Sequence, residues 1–180
     1  MAETMQDLLE IELLDALSAE RQALDGMEAM LDAAASQGLR RAIQEHMAET
    51  RRQIERLEQA AQMLGIEPDD ADSCEGIQGL LEEAQEMIDL MEPGPLRDVA
   101  LVAAAQKVEH YEIAAYGTLC ALLGAAGQPQ AAALLAETLE EEKAADARLS
   151  QLAEREINPE ALRRDQAAND PDRRGAGSAA

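Results

Sequence analysis

The sequence has no phenylalanine, no tryptophan and only two tyrosines in 180 residues. Any core must therefore be built from aliphatic side chains, and few of these are β-branched, which favours helices over sheets. Cysteine is equally scarce. Cys74 and Cys120 stand at neither a metal-binding nor a redox spacing, so they are expected to be two free thiols in a reducing compartment. No apolar run reaches the roughly 18 residues of a membrane span. The opening MAETMQDLLE lacks the basic and apolar regions of a secretory signal, and the expected location is the cytoplasm. Positive charge is also in short supply: 15 Lys and Arg face 37 Asp and Glu, for a net charge of −22. Such a surface argues against nucleic acid or an anionic membrane as a partner and attracts cations.

What the chain has is helical punctuation. The spacing predicts a first long helix starting near Thr4, with Asp7 three residues on in a capping arrangement, and ending near Ala35. A second is predicted over 39–64, closed by Gly65. A polar loop over 65–73 and a shorter helix over 74–91 follow, and Pro93, Gly94 and Pro95 separate that helix from the third long one, over 96–123. The fourth long helix runs from Pro129 to about Ile157 and is expected to stop before Asn158 and Pro159. The remainder, 159–180, is small and polar and is expected to be a disordered tail beyond a 1–158 bundle domain. Short loops join the first long helix to the second and the third to the fourth, making two antiparallel hairpins. The segment between them must span the bundle. The expected fold is all-α, a ferritin-like four-helix bundle with one long crossover containing an additional short helix.

The inward stripes of these helices are apolar except in the middle. On the first, Leu9, Leu13 and Ala16 lead to Glu20 and then to Leu24, Met27 and Leu31. On the third, Val102 and Ala105 lead to Glu109 and Glu112, then Tyr116, Leu119 and Leu123. The fourth places Glu142 between Thr138 and Ala145, and the second carries His46 and Glu49 one turn apart beside Ile43, Met47 and Thr50. Antiparallel packing brings helix midpoints to one level, so these six side chains converge. Removing an ionised carboxylate from water costs several kcal/mol, and like charges nearby add to that. One or two divalent cations resolve the conflict, and carboxylates with a single imidazole suit iron or manganese. Unfilled positions on two such metals admit dioxygen or peroxide.

Other side chains border this set. Asp146 follows Glu142 at one turn, and Tyr116 is placed to bond a ligand carboxylate or simply to pack. His110 points away from Glu109, toward an outer position. Glu140 and Glu141 are expected on a solvated face with Glu142 inward, although a phase error of one residue would exchange Glu141 and Glu142. The rival reading is a metal-free stress or scaffold protein, in which the inward Glu are protonated or paired with Arg and the bundle serves as a dimerisation or partner-binding module.

Four runs, SAERQAL around Glu20, HMAETRRQIERLEQ from His46, AAAQKVEHYEIAAYGTL from Ala103 and ETLEEEKAADARL from Glu137, resemble the YciE/YciF family of ferritin-like proteins in order and spacing over roughly residues 5–155. The resemblance implies a homodimer of bundles with a two-metal carboxylate site, a ferroxidase-like activity and a link to stress. Carried over by position, its metal residues are Glu20, Glu49, Glu109, Glu112 and Glu142, with His46 as ligand or near neighbour. One departure stands out. The usual Glu-x-x-His order is reversed on the second long helix, and the fourth has no His.

Overall fold

Thr4 opens the first helix as its spacing with Asp7 predicts. The Thr4 hydroxyl accepts from the Asp7 N–H at 3.1 Å while the Thr4 N–H donates to the Asp7 carboxylate at 3.0 Å, a closed capping box. In this computed structural model, which describes residues 3–68 and 72–169, that helix is α1, Met5–Ala33. Ser36 then caps α2, Gln37–Leu64, by accepting from the N–H groups of Gly38 and Leu39, so α2 begins two residues before Leu39. Gly65, at φ 72°, ends it in the left-handed conformation that a side chain resists. Helix α3, Glu75–Leu90, is the short helix of the crossover. Pro95 starts α4, Pro95–Ala125, and Pro129 starts α5, Pro129–Leu152, each supplying the preset φ of a first helical turn.

The four long helices pack in a ring, α1 against α2 and α4, and α5 against α2 and α4. The end of α1 meets the start of α4, where the Asp98 carboxylate accepts from the Ala35 and Ser36 N–H groups at 2.8 Å each. Neighbours in the ring are therefore antiparallel, and the crossover returns the chain along the bundle, as the two-hairpin reading requires. Helix α3 lies over the seam of α1 and α4. Its start is pinned there by Cys74, whose N–H donates to Ser18 Oγ and whose Sγ lies 3.0 Å from the Tyr111 hydroxyl, which in turn donates from α4 to Asp15 on α1 at 2.7 Å. Gly26 lets it sit close, since a Cβ there would come within 2.3 Å of Leu81 Cδ2. Both cysteines are free thiols. No helix among the described residues is long and apolar enough to cross a membrane.

The last helix does not end where the sequence predicts. After α5 the backbone widens into a π-helical turn, Ala153–Ile157, and continues as α6, Asn158–Asn169. The Asn158 N–H reaches the Ala153 carbonyl, and Pro159 falls in the first turn of α6, where its missing N–H costs nothing. Ile157, buried, anchors the turn. The tail expected from 159 is thus helical to Asn169, and residues 170–180 lie outside the described residues.

The core has two apolar halves. One gathers Met27, Met30, Ile43, Met47, Leu101 and Leu149, the other Leu13, Leu17, Leu57, Leu119, Leu123 and Leu135. The inward face of α1 drifts along the helix. Ala23 and Met30 are buried where Leu24 and Leu31 were expected, and those two leucines pack at the margin.

Candidate metal centre

Between the apolar halves lies a polar layer with contributions from all four long helices. Glu20 comes from α1, His46, Thr50 and Gln53 from α2, Glu109 and Glu112 from α4, and Thr138 and Glu142 from α5, all buried. The carboxylates of Glu20, Glu109, Glu112 and Glu142 occupy positions where the helical period turns the side chain inward, and packing gives them no exit to water.

Within the layer, one ligand atom from each of His46, Glu109, Glu112 and Glu142 lies within 4.8 Å of the others. The His46 Nε2 is 3.2 Å from Glu109 Oε1 and 3.7 Å from Glu142 Oε2, and Nδ1 is 3.5 Å from Glu49 Oε2. Neither ring nitrogen is aligned for a hydrogen bond, and both oxygens of Glu112, both of Glu142, Oε2 of Glu109 and Oε2 of Glu20 are buried without a hydrogen-bond partner among the described residues. Burial pushes all four carboxyl groups up. Glu109 rises to about 10, further raised by Glu142, and Glu20 and Glu112 lie well above the ordinary range, Glu20 further raised by Glu142 and Glu112 by Glu20. Orphaned oxygens beside an unpartnered imidazole are the donor set that a hard or borderline divalent cation takes, so the residues present fit a metal ion.

The six predicted residues do not all play the same part. Glu20 is outside the four-residue cluster but close enough to interact with Glu112 and Glu142, and its Oε1 accepts a 2.5 Å hydrogen bond from the buried Tyr116 hydroxyl. Burial and this carboxylate push the Tyr116 phenol well up. Tyr116 is thus the carboxylate partner that its spacing allowed. Glu49 is outside the four-residue cluster. It receives Arg148 Nη2 at 2.5 Å, and contacts with His46 and Arg148 hold its carboxyl below the usual range. Asp146 accepts from Gln106 and faces an exposed His110 at 3.6 Å, so both lie outside the cluster. Glu140 is exposed and paired with Lys143. Glu141, expected on the solvated face, is clasped by Arg56 through two hydrogen bonds of 2.6 and 2.8 Å, because the α2–α5 seam brings that guanidinium against it.

Gln53 and Arg148 were not among the predicted residues. Gln53 sits one turn after Glu49 and Thr50, close to their stripe, and period alone marks it. Arg148 gives no such signal, since an Arg on an outward position of α5 reads as a solvated charge.

Fold and layer together define a class: a ferritin-like four-helix bundle whose centre is a buried histidine and glutamate cluster able to hold a metal ion. The chain belongs to the family of YciF, described as a domain of unknown function (DUF892), whose family model matches residues 4–162. It is 43% identical to Protein YciF of Escherichia coli (strain K12) over 158 residues, 88% of this chain and 95% of that protein. The crystal structure of the E. coli stress protein YciF superposes with a TM-score of 0.83 at 42% identity, covering 87% of this chain and 99% of that one. YcfI of Rhodopseudomonas palustris does so with a TM-score of 0.79 at 40% identity, covering 82% and 94%. The fold alone is shared with a two-domain protein of Anabaena variabilis that contains DJ-1/ThiJ/PfpI-like and ferritin-like domains, at a TM-score of 0.62 and 22% identity over 87% of this chain and 38% of that one.

Proposed function

We propose that the central layer binds two divalent metal ions, iron or manganese, and that the protein oxidises Fe(II) or consumes peroxide in a stress response, as a homodimer in the cytoplasm. The observation that carries this reading is the set of six buried carboxylate oxygens with no hydrogen-bond partner among the described residues. Four carboxyl groups held this way cost several kcal/mol each if ionised, against a total stability of roughly 5–15 kcal/mol. A bundle that keeps them charged needs multivalent cations among them.

His46, Glu109, Glu112 and Glu142 form the tighter group, and Glu20 is outside it but interacts with Glu112 and Glu142. His46, Glu109, Glu112 and Glu142 would hold one cation, and Glu20 with the carboxylates of Glu112 and Glu142 would help to hold a second. Bound there, the metals supply electron transfer to dioxygen or peroxide. The protein's part is to fix the donors and exclude water. Tyr116 orients Glu20, the two apolar core halves close the layer above and below, and the small cavity beside His46 and Glu109, about 30 Å³, is lined mainly by Ala23, Met27, Met30, Ile43, Val108 and Leu149. The metal-free reading expects inward carboxylates to be paired with Arg. Glu49 and Glu141 meet that description, but Glu112 and Glu142 have no basic partner within the layer other than His46.

Protein purified without chelators and titrated anaerobically with Fe(II) tests the proposal. The expected result is uptake of about two Fe(II) per chain, as in di-iron carboxylate bundles. A preparation holding neither iron nor manganese that also takes up no Fe(II) overturns it.

A further inference from the structure

Glu49 departs from the buried carboxylates of the layer in two respects. It reaches solvent, with 20% of its side chain exposed against 0% for Glu142 and 3% for Glu109, and it is paired with an arginine. The imidazole of His46 lies between it and the cluster. On the inner side Nε2 faces Glu109 at 3.2 Å and Glu142 at 3.7 Å; on the outer side Nδ1 faces Glu49 Oε2 at 3.5 Å. The same Oε2 accepts from Arg148 Nη2, whose side chain is 40% exposed and reaches across from α5. The order from solvent inward is thus Arg148, Glu49, His46, Glu109 with Glu142.

We propose that Glu49 is a positioning residue for His46 and not a metal ligand, and that Arg148 fixes Glu49 in that task. The inference rests on the reading that the layer binds metal. An imidazole that ligates a cation through one nitrogen carries its proton on the other, and a carboxylate at that second nitrogen sets tautomer and ring orientation. Glu49 occupies that place. An Oε2 that already accepts from Arg148 is held on the outer side of the ring. Spacing also accounts for the reversed His-x-x-Glu order on α2. The residue one turn after His46 lies beside the ring's outer edge, where it supports the histidine without joining the carboxylates inside.

Binding of Mn(II) alone to the full chain, followed by titration calorimetry and by the electron paramagnetic resonance of free Mn(II), tests this against a ligand role. Glu49→Ala weakens Mn(II) binding by about 10–100-fold, the range for loss of an outer partner of a ligating histidine. Glu49→Gln combined with Arg148→Gln restores most of the affinity, because the Gln amide oxygen offers Nδ1–H an acceptor when the ring ligates through Nε2, and no charge is stranded. In a His46→Ala background, Glu49→Ala has no further effect. Glu112→Gln, on a carboxylate inside the cluster, loses binding outright.

The inference is overturned if the Gln pair binds as poorly as Glu112→Gln, if Glu49→Ala still weakens binding in the His46→Ala background, or if Glu49→Ala binds like the parent. The proposal of a metal centre survives each of those results. A parent protein that takes up no Mn(II), with no iron uptake either, ends both.

Discussion

Glu112 has both carboxylate oxygens buried and unpartnered, and its neighbours Glu20, Glu109 and Glu142 share its raised pKa. In the unfolded chain these groups release their protons near the ordinary value of 4.5, whereas the folded, metal-free protein holds them to higher pH, in Glu109 up to about 10. Native chains then bind more protons than unfolded ones, and stability falls as pH rises, by about 1.4 kcal/mol per pH unit for each retained proton. Glu49 and Glu141 shift downward, so their contribution is complete above the ordinary carboxylate range and adds no slope here. Metal-free protein is expected to have a higher urea midpoint at pH 5.5 than at pH 8, and Glu112→Gln to reduce that difference by the share of one proton. A midpoint that climbs with pH in the parent would show that the layer is not held protonated. These carboxylates were legible in the sequence because they interrupt apolar stripes at helix midpoints. The part played by Glu49 was not, since its neighbours across the seam, Arg148 above all, depend on the rotation of α5 against α2, and no period in one helix encodes that.

At the scale of elements, the chain's punctuation worked where it acts through local chemistry. Thr4 with Asp7, Gly65, and prolines 95 and 129 each satisfy or remove backbone groups within a turn, and each marks a helix end in the structure. It misled at Asn158 and Pro159, because a π turn absorbs the proline at no cost to the buried Ile157, and burial is a tertiary matter. The connection between α1 and α2 likewise depends on a distant residue. Asp98, buried at the start of α4, accepts from the N–H groups of Ala35 and Ser36, tying the first hairpin to the second. Charge-assisted hydrogen bonds of this kind contribute about 1.5–3 kcal/mol. Asp98→Ala is expected to lower stability by about 2–3 kcal/mol in urea denaturation, and Asp98→Asn by about half as much, since the amide keeps one acceptor. Equal losses for the two variants would mean that the carboxylate's charge, and not its pair of acceptors, holds the corner.

For the molecule as a whole, net charge and the buried layer act on stability in different ways. A surface at −22 repels itself, and any cation relieves that by screening, with a range of about 10 Å at 0.1 M salt. The layer is beyond the reach of screening, because its oxygens are sealed between the two apolar halves of the core. Only a cation that enters and is ligated there stabilises it, by RT ln(1 + [L]/Kd), about 2.7 kcal/mol at a hundredfold excess over Kd. Sodium chloride and Mn(II) at matched ionic strength should therefore raise the thermal midpoint unequally, with Mn(II) producing the larger rise at far lower concentration. Glu112→Ala removes the surplus due to Mn(II) and leaves the response to sodium chloride unchanged, because it alters the layer and not the surface. If parent and variant gain equally from Mn(II), the ion acts on the acidic exterior, and the carboxylates at the centre are kept by protons alone.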